Sequence, residues 1–300
     1  MAITETDLDP PPVRRYVDNS RRAAIGVQFN HVLLFVVLAC GAVLFMMPLY
    51  TMLTISLKTR VEAANTSPWS WPIHPTFDNY RQVWFDPNIN FLRASFNTFV
   101  ISVIPTLGGV ITSSLVAFPF ARLKFRGRDR MFVVLLGTMM LPGIVTLIPG
   151  YVLMAKLGWI DTFKPFLVPA FLGGGAFNIF LVRQFMLSIP REMDEAAKID
   201  GASNAVIFWR MILPNCAPVL ATIAVFTFVG GFRDFLGPLM MLNSPEMQPL
   251  EVALKSLQGS HATEFNLLMA GSMITTIPLI VIFIFCQRYF MRGITLTGGK

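Results

Sequence analysis

Side chains able to do covalent chemistry are few and scattered in this chain of 300 residues. The three histidines, His31, His74 and His261, are spread along the sequence and mark no metal site. Cys40, Cys216 and Cys286 each lie inside an apolar run, where a thiol behaves as a small buried hydrophobe. No nucleophile–base arrangement appears, and Gly298-Gly299-Lys300 is a terminal tripeptide with none of the spacing of a phosphate loop. The chain therefore reads as a non-enzyme with no cofactor of its own. Polar chemistry concentrates in one place, residues 183–214, RQFMLSIPREMDEAAKIDGASNAVIFWRMILP. Three acids on a short helix, Glu192, Asp194 and Glu195, suit the binding of basic groups rather than catalysis.

The elements around that stretch belong to a membrane. The chain is 54% hydrophobic and 14% charged, against roughly 25% charged in soluble domains. Six long charge-free segments, 31–57, 94–121, 131–155, 165–182, 211–232 and 265–286, are predicted to span. A helix crossing a hydrocarbon core of ~30 Å needs about 20 such residues. No strand alternation competes, so the fold class is all-α, a polytopic bundle of six transmembrane helices. The first span begins too late and runs too long for a signal peptide, so residues 1–29 are expected to stay as a polar tail. Residues 30–296 form the membrane domain, with 297–300 as a short second tail.

Six crossings divide the lysines and arginines sixteen to eight. The richer side holds the N-terminal tail, the cluster Lys124, Arg126, Arg128 and Arg130, the 183–210 loop and the C-terminus. The positive-inside rule places that side, and both termini, in the cytoplasm of a cell membrane. The net charge of +7 is thus topological, with anionic lipid as its neighbour, rather than a nucleic-acid surface. Outside lie the loops 58–93 and 233–264. Trp69, Trp71, Trp84 and Tyr80 in the first suit interfacial anchoring or contact with an external partner; the acidic, proline-marked second suits a partner.

Within 183–210, Ser188 is expected to cap a helix with Pro190 in its first turn. Glu192, Asp194 and Glu195 load the positive end of its dipole. Met193, Ala196, Ala197 and Asp200 fall on one narrow, small-residue face, which anchors poorly in lipid but lets another protein's backbone approach. Gly201 ends the helix, a second begins near Ser203 or Asn204, and Pro214 marks its entry into the fifth span.

These residues resemble the "EAA" loop of ABC importer permeases: Glu195-Ala196-Ala197, three residues, Gly201, nine residues, then Met211-Ile212-Leu213-Pro214, with Met211 where isoleucine is usual. More narrowly, the chain is similar to the shorter permease of carbohydrate importers of the maltose-transporter type. Phe120-Ala121-Arg122-Leu123-Lys124-Phe125-Arg126-Gly127, Asp234-Phe235-Leu236 with Pro238-Leu239, Leu268-Met269-Ala270-Gly271 and Gln287-Arg288-Tyr289-Phe290 extend the likeness over residues 30–296. Phe232, Arg233, Gly237 and the tail 297–300 depart from the family's pattern.

The resemblance implies a type I importer permease working as a heterodimer with a second permease. Two ATP-binding subunits would hold the ATP and magnesium, and an extracytoplasmic solute-binding protein would deliver the sugar. It implies that residues 195–201 form the cytoplasmic coupling helix, that Met193, Glu195, Ala196, Ala197 and Asp200 meet the ATPase, that Gly201 allows the turn, and that Leu213 and Pro214 set the second helix against span five. Thr138, Asn178 and Thr227 are candidates for the substrate path, although hydroxyls and amides inside spans more commonly bond across helices. Alternatives are a secondary transporter or channel without an ATPase, which the absence of ionisable residues within the spans disfavours, or an importer of another small polar solute such as glycerol phosphate.

Overall fold

The computed structural model describes residues 19–86, 89–260 and 264–295. Through Thr51 the described chain is part of one helix, and from Met52 onward it forms a separate contact unit. That first helix, α1 (Asn19–Ser56), contains the apolar stretch His31–Ser56 and carries Pro48 inside it. It starts well before the predicted boundary at residue 29, so the expected tail is in part helical; the positions before it, and the tail 297–300, lie outside the described residues.

The second unit continues with α2 (Arg60–Asn65) and α3 (Asp78–Trp84), then α4 (Phe91–Arg122), the longest span at 32 residues. Next come α5 (Arg128–Thr138) and α6 (Gly143–Lys156), and α7 (Lys164–Leu167) with a 3-10 turn at Pro169–Phe171 leading to α8 (Ala176–Ser188). After α9 (Glu192–Ile199) and α10 (Asn204–Val206), a π-helical stretch Ile207–Ile212 leads through α11 (Leu213–Asn215) into α12 (Ala217–Phe232). The chain then folds into α13 (Leu236–Met241), α14 (Leu250–Ser260) and α15 (Phe265–Thr295). Among the described residues four helices are long and apolar enough to cross a bilayer, and two bent pairs bring the number of spans to six.

Two of the spans are sharply bent, each where prolines stand. Span three is α5 and α6 meeting at 95°. Pro142 disfavours helical backbone at Leu141 and so forces the break. Span five is α12 together with the Asn204–Asn215 segment, which meets it at 74°. Pro214 and Pro218 flank that bend, and each removes an N–H that a continuous helix would need.

Helix α4 is the axis of the second unit, packed by α8 and α12. Its buried middle is small and polar: Ser102, Thr106, Gly108, Gly109, Ser113 and Ser114. Thr98, Ser102, Thr106 and Ser114 each donate a hydroxyl to the carbonyl four residues back, so no polar hydrogen is left unspent. Small residues allow backbones to close in where lipid supplies no hydrophobic drive. The bulky side chains Leu92, Phe96, Phe99, Leu107, Ile111 and Leu115 recur at intervals of three, four or eight residues on the exposed face of the same helix.

Two apolar clusters sit at opposite ends of α4. One gathers Phe118, Phe120, Phe132, Val182, Met186, Ile207, Ile212 and Ile223. The other gathers Val83, Phe91, Phe232, Leu250, Leu257 and Leu267. Around the second, three connecting segments are bonded together. Asn79 donates to the carbonyls of Ser56 and Lys58 at 2.7 and 2.8 Å and accepts from Asn266 at 2.8 Å. Asn97 donates to Glu246 O and Gln248 O. Asp161, at φ 59°, accepts from the amides of Asn243 and Ser244 at 2.9 Å and from the Ser244 hydroxyl. These hydrogen bonds hold the Asp161 carboxyl below its ordinary value, the Ser244 hydroxyl most of all. Segments 57–93, 157–163 and 233–264 therefore share one side, as an even number of crossings requires, while the loops after α4 and α8 meet at the other.

Lys58 is fully buried, its ammonium donating to Thr66 Oγ1 (3.0 Å), Ser67 O (2.7 Å) and Ser70 Oγ (3.0 Å). All three of its donors find oxygen. Trp69 and Trp71 remain exposed beside it.

Candidate functional site

The segment after α8 forms a short projecting hairpin of helix. Ser188 does not cap α9; it belongs to the last turn of α8 and donates to Phe185 O at 2.7 Å. Ile189, extended before Pro190, stops that helix, and Arg191 takes the N-cap of α9 with no side-chain cap of its own. The three acids then occupy the first turn, where exposed N–H groups favour negative charge.

The expected narrow face of Met193, Ala196, Ala197 and Asp200 is divided. Ala197 and Asp194 are buried and Met193 is half-buried, all turned towards the chain's own core. The outward face is Glu192, Glu195, Ala196 and Ile199, spaced i, i+3, i+4, i+7, with Asp200 exposed beside it. Ile199 is 87% exposed, an apolar side chain that nothing among the described residues covers. Sequence reasoning missed it because it read the smallest residues as the contact surface and stopped there.

What fastens α9 was also missed. Asp194 lies 3.4 Å from the Nε of Arg122, the last residue of α4, with side chains 11% and 3% exposed. Arg122 Nη2 donates to Ile189 O at 3.0 Å. Among the described residues, Nε and Nη1 of Arg122 and Oδ1 of Asp194 are buried without a hydrogen-bond partner, so the pair is a charge contact rather than an aligned fork. In return Arg183 of α8 donates from Nε to Phe120 O of α4 at 3.2 Å, its guanidinium 4.0 Å above the Phe132 ring. No local pattern links Arg122 to Asp194 across that sequence separation; only the adjacent ends of α4 and α8 bring them together.

Gly201 closes α9 as expected. Its φ is +80°, its amide donates to Lys198 O, and the Ala202 amide donates back to Ala197 O at 2.9 Å. Nothing lies within 4 Å of where a Cβ would stand, so the conformation, not space, calls for glycine. Ser203 caps the next helix by accepting from the Val206 amide at 3.4 Å. Leu213 packs against the inner cluster and Pro214 is exposed at the bend.

Of the three path candidates, two come together. Asn178 Nδ2 donates to Gly174 O at 2.8 Å and to Thr227 Oγ1 at 3.2 Å, joining α8 to α12. This is the cross-helix bonding that buried amides need in lipid. Thr138 is exposed at the break of span three, its hydroxyl donating to Leu135 O at 2.6 Å. Gly174 itself, at φ +70°, sits against α4 so closely that a Cβ would meet the carbonyl of Gly109 and the amide of Ser113, the latter at 2.8 Å.

Comparison with known proteins agrees with this architecture. Residues 91–296 match the family described as binding-protein-dependent transport system inner membrane component. The chain is 32% identical over 225 residues to the arabinooligosaccharides transport system permease protein AraQ of Halalkalibacterium halodurans, covering 75% of this chain and 80% of the relative. It is 33% identical over 272 residues to the galactooligosaccharides transport system permease protein GanQ of Bacillus subtilis, covering 89% and 94%. Among solved structures, a bacterial ABC transporter involved in the import of the acidic polysaccharide alginate aligns with a TM-score of 0.74 at 25% identity, over 92% of this chain and 99% of that one. With its six all-helical spans and its match over most of their length, the chain belongs to the binding-protein-dependent transport inner membrane components, the non-catalytic permease subunits of ABC importers.

Proposed function

We propose that this permease carries a sugar or oligosaccharide, that it forms half of the pathway with a second permease, and that α9 is the element on which ATP-binding subunits act. The observation that carries the coupling role is the division of α9. Its inner face is fixed to α4 through Asp194 and Arg122, while Glu192, Glu195, Ala196 and Ile199 are left outward with no partner among the described residues. Glu195 then pairs with a basic group of the ATPase and Ile199 enters an apolar depression beside it. A displacement of α9 passes into α4 and α8 because packed, bonded interfaces transmit rather than absorb it. Asp200 and Gly201 shape the turn, Leu213 and Pro214 carry the motion to α12, and ATP with its magnesium stays on the ATPase subunits.

The sugar reading is supported by the names of the oligosaccharide permeases quoted above, and a solute-binding protein on the opposite side is the source of solute. The sixteen-to-eight division of basic residues supports a cytoplasmic α9 and cytoplasmic termini in a cell membrane. Residues 30–296 then act as the permease domain between two cytoplasmic tails. The test is transport by the reconstituted importer carrying Glu195→Lys or Gly201→Asp. Both variants are expected to assemble with their partners and to lose transport; normal uptake by either sinks the coupling assignment.

A further inference from the structure

The turn between α4 and α5 builds a second feature on the side of α9. A cleft of about 650 Å³ is lined by Lys124, Phe125, Arg126, Arg128, Arg130 and Arg191 around a single acid, Asp129. Asp129 is already committed to Arg128 at 2.9 Å. Lys124, Arg126, Arg130 and Arg191 are exposed and have no hydrogen-bond or ion-pair partner among the described residues. The α5 N-terminus opens into the same cleft behind Gly127 (φ +87°), with no side chain capping its amides. A neighbouring cleft of about 480 Å³ shares Lys124 and Arg191 but is also lined by Asp194 and Glu195, and its buried Arg122 is already paired with Asp194. Four unpaired cations and open helix amides ask for anionic oxygen.

Depth decides which anion. The apolar run of α4 ends at Ala121 and that of α5 begins at Met131, so the cations stand within about one helical turn of the hydrocarbon edge. Phe125, 40% exposed between Lys124 and Arg126, suits the same interfacial level. Phosphates are fixed at that height by the bilayer itself, and basic pockets beside membrane helices hold anionic headgroups. We infer that this cleft is a binding site for the phosphodiester headgroup of an anionic phospholipid, placed so that the lipid touches Arg191, the residue that starts α9. The inference uses the membrane-spanning fold and not the coupling role, so each can fail without the other.

The test is native mass spectrometry of the full chain with phosphatidylglycerol and phosphatidylcholine of identical acyl chains in equal amounts. Phosphatidylglycerol is expected to be enriched, and Lys124→Gln/Arg126→Gln/Arg130→Gln to lower the enrichment by about ten-fold or more. These side chains have no internal partner, so the melting temperature of the triple variant should match the parent. Lys255→Gln, on the opposite side, is expected to change nothing. Equal binding of the two lipids, equal loss in the Lys255 variant, or displacement by inorganic phosphate at matched concentration overturns the inference. So does release of the lipid when the ATP-binding subunits are added, which would assign the cleft to an acidic protein surface.

Discussion

Replacing Asp194 by asparagine keeps the shape of the α9 inner face and removes its charge. Arg122 is then left with a buried guanidinium, 3% exposed, whose remaining bond is to Ile189 O. Deleting one partner of a buried pair costs roughly 3–5 kcal/mol. Two features place this one at or below the low end. Asp194 keeps 11% of its side chain in contact with the adjoining cleft, and the 3.4 Å contact is poorly aligned. A loss of about 2–3 kcal/mol corresponds to roughly a hundred-fold rise in local opening of α9. Native-state hydrogen exchange of the 192–200 amides reads that directly, in nanodiscs and at constant pH. Arg122→Met should cost a similar amount, since it strands the carboxylate. The double variant Arg122→Met/Asp194→Leu, which removes both charges, should recover most of the loss, giving a coupling energy in a double-mutant cycle. Unchanged exchange in Asp194→Asn, or a double variant equal to the sum of the singles, would refute the view that this pair holds α9 to α4.

Two glycines with similar backbones should behave differently. Gly201→Ala meets no atom and costs only the left-handed conformation, roughly 1–2 kcal/mol, whereas Gly174→Ala adds overpacking against backbone worth roughly 1–3 kcal/mol; thermal unfolding in detergent should rank Gly174→Ala clearly lower, and equal shifts would contradict the close approach to Gly109. Asp161 sets a pH dependence: its folded pKa lies below the ordinary 3.8, so its contribution is complete above that value and is lost as pH falls through the depressed one. Limited proteolysis should therefore open the 157–163 and 243–244 segments on acidification below about pH 4, and Asp161→Asn should open them already at neutral pH.

The spans and the α9 hairpin were legible because they rest on local signals. Apolar length marks a span whatever surrounds it, and Gly201, Ser203 and the three acids of α9 are end signals that act within one turn. The bends were legible only in part: Pro142 and Pro218 suggest kinked helices, but so do Pro48, Pro105 and Pro278, which lie inside continuous helices. Residues 131–155 and 211–232 have the composition of straight spans, and proline bends a helix only where its neighbours accept the bend. The orientation of α9 was misread for a related reason. Alanine suits a buried face and a docking face equally, and only the Arg122 partner of Asp194 decides which side of the helix turns inward. Lys58 illustrates the same limit: as a symbol it counted towards topology, while in the fold three neutral oxygens enclose it.

The exchange of arginines between α4 and α8 has a mechanical corollary. Each helix ends at the same level with its negative dipole pole, and each end is neutralised by a guanidinium from the other's sequence, Arg183 on Phe120 O and Arg122 on Ile189 O. A slip of one residue, about 1.5 Å along the axis, would tear both bonds at once. The two helices are thus splinted and must travel as a single beam during a transport cycle. Whatever flexing a transport cycle demands falls to the bends at Met139–Pro142 and around Cys216, where Pro142, Pro214 and Pro218 withhold amide donors from the helical ladder.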